Sequence, residues 1–144
     1  MLSQTAEYAL RAVVWLAANQ EGGPMGVPKI AEATKVPASY LAKILQNLVK
    51  AKIVQSRRGV GGGFSLVNSP EDLSVLDVIN AVDPIKRIHT CPLKLSSHQK
   101  QLCPMHSRLD EALETVEKAF SESRISDLLH DDSKPKPLVE SICW

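Results

Sequence analysis

The sequence predicts a mainly α-helical chain with one small β-hairpin, and three stretches carry that prediction. The first is a pair of short helical patterns, residues 28–33 and Ala38–Lys50, separated by the turn Thr34-Lys35-Val36-Pro37. The second is Arg57-Arg58-Gly59-Val60-Gly61-Gly62-Gly63-Phe64-Ser65-Leu66, where glycines able to take positive φ join two strand-forming runs. The third is a long helical pattern, Pro104–Glu122, with Leu109, Ala112, Leu113, Val116, Ala119 and Phe120 on one side.

The 144 residues, 44% of them apolar, suffice for one domain with a real core. Aromatic residues make up only 4%, which favours helices packed through Ala, Leu, Val and Ile. Over residues 4–19, Ala6, Ala9, Leu10, Val13, Val14 and Ala17 recur at helical spacing, and Gln20-Glu21-Gly22-Gly23-Pro24 ends that helix. Pro28 falls in the first turn of the next helix. In the third helix Leu41, Ile44, Leu45 and Leu48 face inward. Strands are expected over 52–56 and 64–67. Ser74 is placed to cap a helix over 74–82, which Asp83-Pro84 stops. Residues 84–102 read as a loop. The long helix spans roughly 28 Å at 1.5 Å per residue. Ile125, Leu128 and Leu129 suggest a final helical turn. A loose tail follows from residue 131, in which Leu138, Val139, Ile142 and Trp144 are available to pack back and Cys143 is read as a bystander thiol.

Several function classes fall away. No run approaches eighteen apolar residues, so no membrane-spanning helix is expected, and the N-terminus lacks a secretion signal pattern. A cytoplasmic protein is expected. Its three cysteines cannot all pair internally and are better candidates for metal or redox chemistry than for a disulfide framework. A redox or metal-binding enzyme using Cys91 and Cys103 is the alternative. Against it stand the lack of Cys-x-x-Cys, of paired catalytic carboxylates with a histidine, and of an α/β pocket pattern, so the chain is read as no enzyme. A purely structural dimerisation module is a third reading.

Residues 1–66 hold eight Lys and Arg against three acids, a net of +5, while the remainder carries −4. A basic N-terminal half fits a polyanion partner. Two short helices around a tight turn form a helix-turn-helix, whose second member enters the major groove of DNA. The glycine-rich hairpin after it reads as a wing, and Arg57 and Arg58 at its start can grip phosphate or enter a minor groove. A nucleotide-binding loop is excluded there, since no Gly-Lys-Ser/Thr and no parallel strand-helix unit accompanies the glycines. The fold predicted is therefore a winged helix-turn-helix plus a long C-terminal dimerisation helix, the usual means of matching two DNA half-sites. Four parts follow: 1–83 binds DNA, 84–103 is a cysteine-containing sensor loop, 104–130 is the dimerisation helix with its final turn, and 131–144 is a flexible tail.

Leu2-Ser3-x3-Glu7-Tyr8-Ala9-Leu10-Arg11, Ile30-Ala31, Pro37-x2-Tyr40-Leu41-x3-Leu45-x2-Leu48 and Arg57-x-Gly59-x2-Gly62-Gly63-Phe64-x-Leu66 together resemble the bacterial Rrf-two family of transcriptional regulators, over about residues 1–130. The resemblance implies a homodimeric winged-helix regulator, a repressor, on double-stranded promoter DNA. The family includes iron–sulfur-cluster regulators, nitric-oxide-responsive repressors and a cysteine-metabolism repressor. Carried over, Ser39, Tyr40 and Lys43 resemble the base-reading face, with Gln46 and Asn47 within reach of DNA and Pro28 beside them. Arg57, Arg58 and Gly59 resemble the wing contacts. Tyr40 is equally readable as core filler.

A further motif, Cys91-x11-Cys103-x2-His106, suggests what is sensed. Cluster-binding members of the family place three cysteines in this loop. Here Cys91 and Cys103 hold the outer positions, and the middle one is Ser97, next to His98. Residues 103 and 106 share a face at a helix start, where Pro104 suits the first position and the helix N-terminus favours a thiolate. Thiolate with imidazole suits an iron–sulfur cluster, 2Fe–2S by expectation, with zinc the alternative; a cysteine redox switch, or a regulator without cofactor, is the remaining reading. Cys91, His98, Cys103 and His106 could supply four ligands. So could Cys91, Cys103 and one histidine with Glu7 reaching across a dimer. The plain alternatives are a first-turn acid for Glu7, and surface histidines for His89, His98 and His106.

Overall fold

Ser3 opens the first helix, its hydroxyl accepting from the Ala6 N–H at 3.1 Å. The computed structural model describes residues 2–138 and residue 140; Val139, Ile142, Cys143 and Trp144, named above, lie outside the described residues. The elements in order are α1 (Gln4–Ala18), α2 (Val27–Thr34), α3 (Ala38–Lys50), β1 (Val54–Arg57), β2 (Gly63–Leu66), α4 (Val75–Val82), α5 (Pro104–Glu122) and α6 (Ile125–His130). Single 3-10 turns sit at Gln20–Gly22 and Ser96–His98. The predicted mainly α architecture with a small β wing is the one found.

Helix α1 is the central element. Ala6, Ala9 and every residue from Ala12 to Ala17 are buried, and α1 packs against α2, α3, α4 and α6. Its small residues let four neighbours approach one rod. In α2 and α3 the apolar spacing does what the sequence requires: Ile30, Leu41, Ile44, Leu45 and Leu48 are fully buried and form the core with Val13, Val78, Ile79 and Ile125. Lys35 closes α2 in the left-handed region (φ +57°), and Pro37 sets the start of α3.

All four strand ends differ from expectation, by one or two residues. The residue pattern predicts a strand opening at residue 52. Instead Lys52 takes φ +60°, and the N–H groups of Lys52 and Ile53 donate back to Val49 and Leu48, so this stretch still closes α3. Strand β1 therefore begins at Val54 and carries on through Arg57, which pairs with Gly63. Val67 lies past β2, though its N–H donates to the Ile53 carbonyl. The hairpin base is also pinned from an unforeseen side. Met25, just before α2, exchanges two backbone hydrogen bonds with Phe64, at 2.9 and 2.8 Å.

Ser74 caps α4 as expected, accepting from the Asp77 N–H while its own N–H donates to the Asp77 carboxylate, both at 3.0 Å. The junction between α5 and α6 is stitched beside it: the Val75 N–H donates to Ser123 and the Ile125 N–H to Leu73. Ile125 and Leu129 enter the core, whereas Leu128 stays exposed. Helix α5 has no buried residue. Its apolar side divides in two. Leu113, Val116 and Phe120 lean toward Leu2, Ala6, Ile79 and Ile85 around a cavity of about 310 Å³. Met105 and Leu109, with Ala112 and Ala119, face outward; the first two are 59% and 50% exposed. Among the described residues no helix is long and apolar enough to cross a membrane.

Candidate nucleic-acid interface and sensor loop

Burying Leu41, Ile44, Leu45 and Leu48 forces the opposite side of α3 outward. Ser39, Tyr40, Lys43 and Gln46 are exposed there and Asn47 is half-buried. Pro28 is exposed at the start of α2, and Arg57, Arg58 and Gly59 are exposed at the start of the wing. The structure thus leaves the sequence-predicted DNA residues open on neighbouring elements.

Tyr40 is not core filler; it is 46% exposed. It also does something that sequence reasoning missed. Its hydroxyl lies 2.9 Å from Thr5 Oγ1, and its ring meets Tyr8 edge-on, centroids 5.8 Å apart. Arg11 sits over the Tyr8 ring at 5.2 Å, donates to the Thr34 carbonyl at 3.2 Å and pairs with Glu7 at 2.8 Å. Side chains of α1 therefore hold the start of the recognition helix and the end of α2 in one arrangement. Thr5, Tyr8 and Arg11 sit one turn apart on α1, a spacing that offered the only sequence signal for this contact.

The wing's glycines have separate reasons. A Cβ on Gly62 would lie 2.2 Å from the Arg57 carbonyl oxygen, and one on Gly63 would strike the Met25 backbone. Gly59 (φ +93°) and Gly61 (φ +75°) have open space around them and are required only for their backbone angle.

In the loop between α4 and α5, Cys91 is buried and its Sγ lies 3.5 Å from His98 Nδ1. The turn around Lys94 (φ +53°) folds the chain back so that the Leu95 N–H pulls the Cys91 thiol below its ordinary value, with His98 and then the Leu93 N–H adding to the effect. Cys103 is the N-cap of α5, half-buried, with Sγ 3.4 Å from His106 Nδ1. Ser97, His98, Cys103, Ser107, Arg108 and Glu111 border an open hollow of about 630 Å³. The candidate ligands thus come together as two thiol–imidazole pairs. Among the described residues no three His, Cys, Asp or Glu side chains converge on one point, and Glu7 is engaged with Arg11 on α1. His89 is exposed, close enough to Asp110 to help hold that carboxyl low.

A helix pair with an exposed polar face, followed by a basic glycine-tipped hairpin, defines a winged-helix DNA-binding regulator. The comparisons agree. The family model described as "Rrf2: Iron-dependent Transcriptional regulator" matches residues 2–131, and the chain belongs to the Rrf2 family. It is a DNA-binding transcriptional regulator, not an enzyme. An Aquifex aeolicus protein of the HTH-type transcriptional regulator class is 31% identical over 137 residues, covering 93% of this chain and 94% of that one. The structure of T. potens IscR superposes with a TM-score of 0.75 at 25% identity, covering 91% of this chain and 87% of that one. That of CymR, the global cysteine regulator of B. subtilis, superposes at 0.72 and 22% identity, covering 89% and 95%, and speaks for the fold.

Proposed function

We propose that the chain acts in the cytoplasm as a homodimeric repressor on promoter DNA, its affinity switched by a group held between residues 91 and 106. In this reading Pro28, Ser39, Tyr40, Lys43, Gln46 and Asn47 face the major groove, and Arg57, Arg58 and Gly59 carry the wing contact. The outward edge of α5, Met105, Leu109, Ala112 and Ala119, is the dimer face. Its support is the spacing of those residues along a nineteen-residue helix that buries none of its side chains in the monomer. Residues 1–83, 84–103, 104–130 and 131–144 then serve as reader, sensor, dimer helix and tail.

The observation that carries the sensor is the pairing of Cys91 with His98 and of Cys103 with His106. On one tetrahedral metal ion, a thiolate sulfur and an imidazole nitrogen stand about 3.6 Å apart. The two pairs, at 3.5 and 3.4 Å, already have that separation. The donor set fits a 2Fe–2S cluster with one thiolate and one imidazole on each iron, and the family's iron dependence favours it. Bound there, such a cluster supplies a redox- and nitric-oxide-sensitive centre. The Leu95 N–H lowers the Cys91 thiol and so favours its thiolate, and His98 occupies the place beside Ser97 where a third thiol is missing. Glu7 of the partner subunit is the alternative fourth donor, in place of one of the two histidines. Zinc is the second reading, favoured by the even count of two sulfurs and two nitrogens.

Anaerobically purified protein is expected to absorb between about 400 and 500 nm and to contain iron and sulfide, and Cys91→Ser to bleach it. Zinc without colour selects the second reading. Equal operator affinity for as-isolated, reduced and demetallated protein overturns the switch. Leu109→Asp is expected to yield monomers; a Leu109→Asp dimer overturns the assigned face.

A further inference from the structure

Among residues 59–63 only Val60 carries a side chain. The Gly62 N–H donates to the Gly59 carbonyl at 3.0 Å, closing a turn with Val60 and Gly61 at its two central positions. Gly61 at φ +75° is what the second central position of a type II turn demands. The turn places the Val60 isopropyl group at the apex of the hairpin, 107% exposed relative to the free residue. No other described apolar side chain stands so clear of the protein. An isolated exposed valine needs no explanation on an ordinary surface. This one tops a hairpin without an acidic residue from 54 to 66, directly beyond two arginines.

The surroundings make the tip a thin blade. A Cβ on Gly59 or Gly61 would have nothing within 4 Å, so beyond its positive-φ strain a side chain there would widen the tip without meeting a protein atom. The turn leaves Val60 as the one side chain that would lead into a minor groove about 6 Å wide. In the DNA-binding reading α3 enters the major groove, and the hairpin, which begins four residues after Lys50, is the element offered to the neighbouring minor groove.

We propose that Val60 is the minor-groove contact of the wing and makes this regulator discriminate A·T from G·C pairs beneath the hairpin tip. The inference rests on the DNA-binding reading of the hairpin. The isopropyl group packs on the sugar walls and over the groove floor. Above A·T that floor offers only acceptors that remain open to water at their sides. Above G·C it carries the guanine amino group, whose N–H would be covered by an aliphatic surface with nothing to accept it, at a cost. Arg57 and Arg58 reinforce the choice, because A·T-rich grooves are narrower and more negative.

The test uses the full chain and a duplex selected by it from random sequence. The base pairs protected by the wing are resynthesised as A·T, G·C or I·C. Inosine·C matches G·C in the major groove but lacks the minor-groove amino group. The wild type is expected to bind A·T and I·C duplexes equally and G·C about tenfold more weakly. Val60→Ser is expected to lose about fivefold on A·T and I·C and nothing on G·C, with unchanged thermal unfolding. Any of three results overturns the proposal: I·C binding like G·C, no A·T preference in the wild type, or a preference in Val60→Ser as large as in the wild type. Failure to select any duplex overturns the DNA-binding reading itself.

Discussion

The Arg87 guanidinium grips both carboxylate oxygens of Asp110, at 2.7 and 2.8 Å, and the Ile88 N–H donates to the same group at 2.8 Å. The segment leading to Cys91 is thereby fastened to α5 one turn beyond His106. Glu114 and Glu117 extend the contact at 3.7 and 3.9 Å. This clasp ties the approach to Cys91 to the helix that carries His106.

The clasp makes the loop acid-sensitive. The Arg87 hydrogen bonds, and then the Ile88 N–H, hold the Asp110 carboxyl well below the usual range. A carboxyl lowered on folding contributes stability that is complete above its unfolded value, near 4, and fades as pH falls through that range toward the lowered value. Hydrogen-exchange protection at the Ile88 amide is therefore expected to fall on acidification from about pH 5 to about pH 2. In Asp110→Asn it is expected to be low throughout. Equal protection in both proteins at every pH contradicts the clasp.

Salt dependence reports on the wing arginines. Each phosphate contact contributes close to one counterion to the slope of log affinity against log salt. If Arg57 and Arg58 both neutralise phosphate, replacing the two with Ala is expected to flatten the slope by about 2. An unchanged slope removes them from the interface.

Glycine substitutions separate steric need from conformational need. Gly62→Ala puts a Cβ against the Arg57 carbonyl oxygen, a backbone atom that cannot yield without opening the hairpin. Gly59→Ala meets open space and suffers only its positive φ. Urea unfolding is expected to show a loss of about 1 kcal/mol for Gly59→Ala and about 3 kcal/mol for Gly62→Ala. The reverse order contradicts the turn geometry.

Ser74 is buried and caps α4 through a reciprocal pair with Asp77. Ser74→Ala is expected to cost about 1 kcal/mol in thermal or urea unfolding. A neutral change means the α4 start is held by the Val75–Ser123 and Ile125–Leu73 backbone bonds instead.

Local pattern is readable from the residues. Helix α3 is bounded at both ends in the sequence, because Pro37 fixes its start and Leu41, Ile44, Leu45 and Leu48 allow one buried face. Pro104 likewise fixes the start of α5. The Cys103–His106 pair is legible, since three residues on a helix put two side chains together. The loop pair Cys91–His98 has no such periodicity behind it. Residue 52 reads wrongly as strand because the β-forming side chains that follow it hide a left-handed turn.

Spacing over a few residues is enough to specify the helices, the hairpin, the basic face and the family. It cannot specify that Tyr40 leans on Thr5 and Tyr8, that Met25 braces Phe64, or that Arg87 clasps Asp110. These contacts join residues 22 or more positions apart, and no periodicity extends over such a gap; they arise when packing around α1 brings distant segments within hydrogen-bond reach.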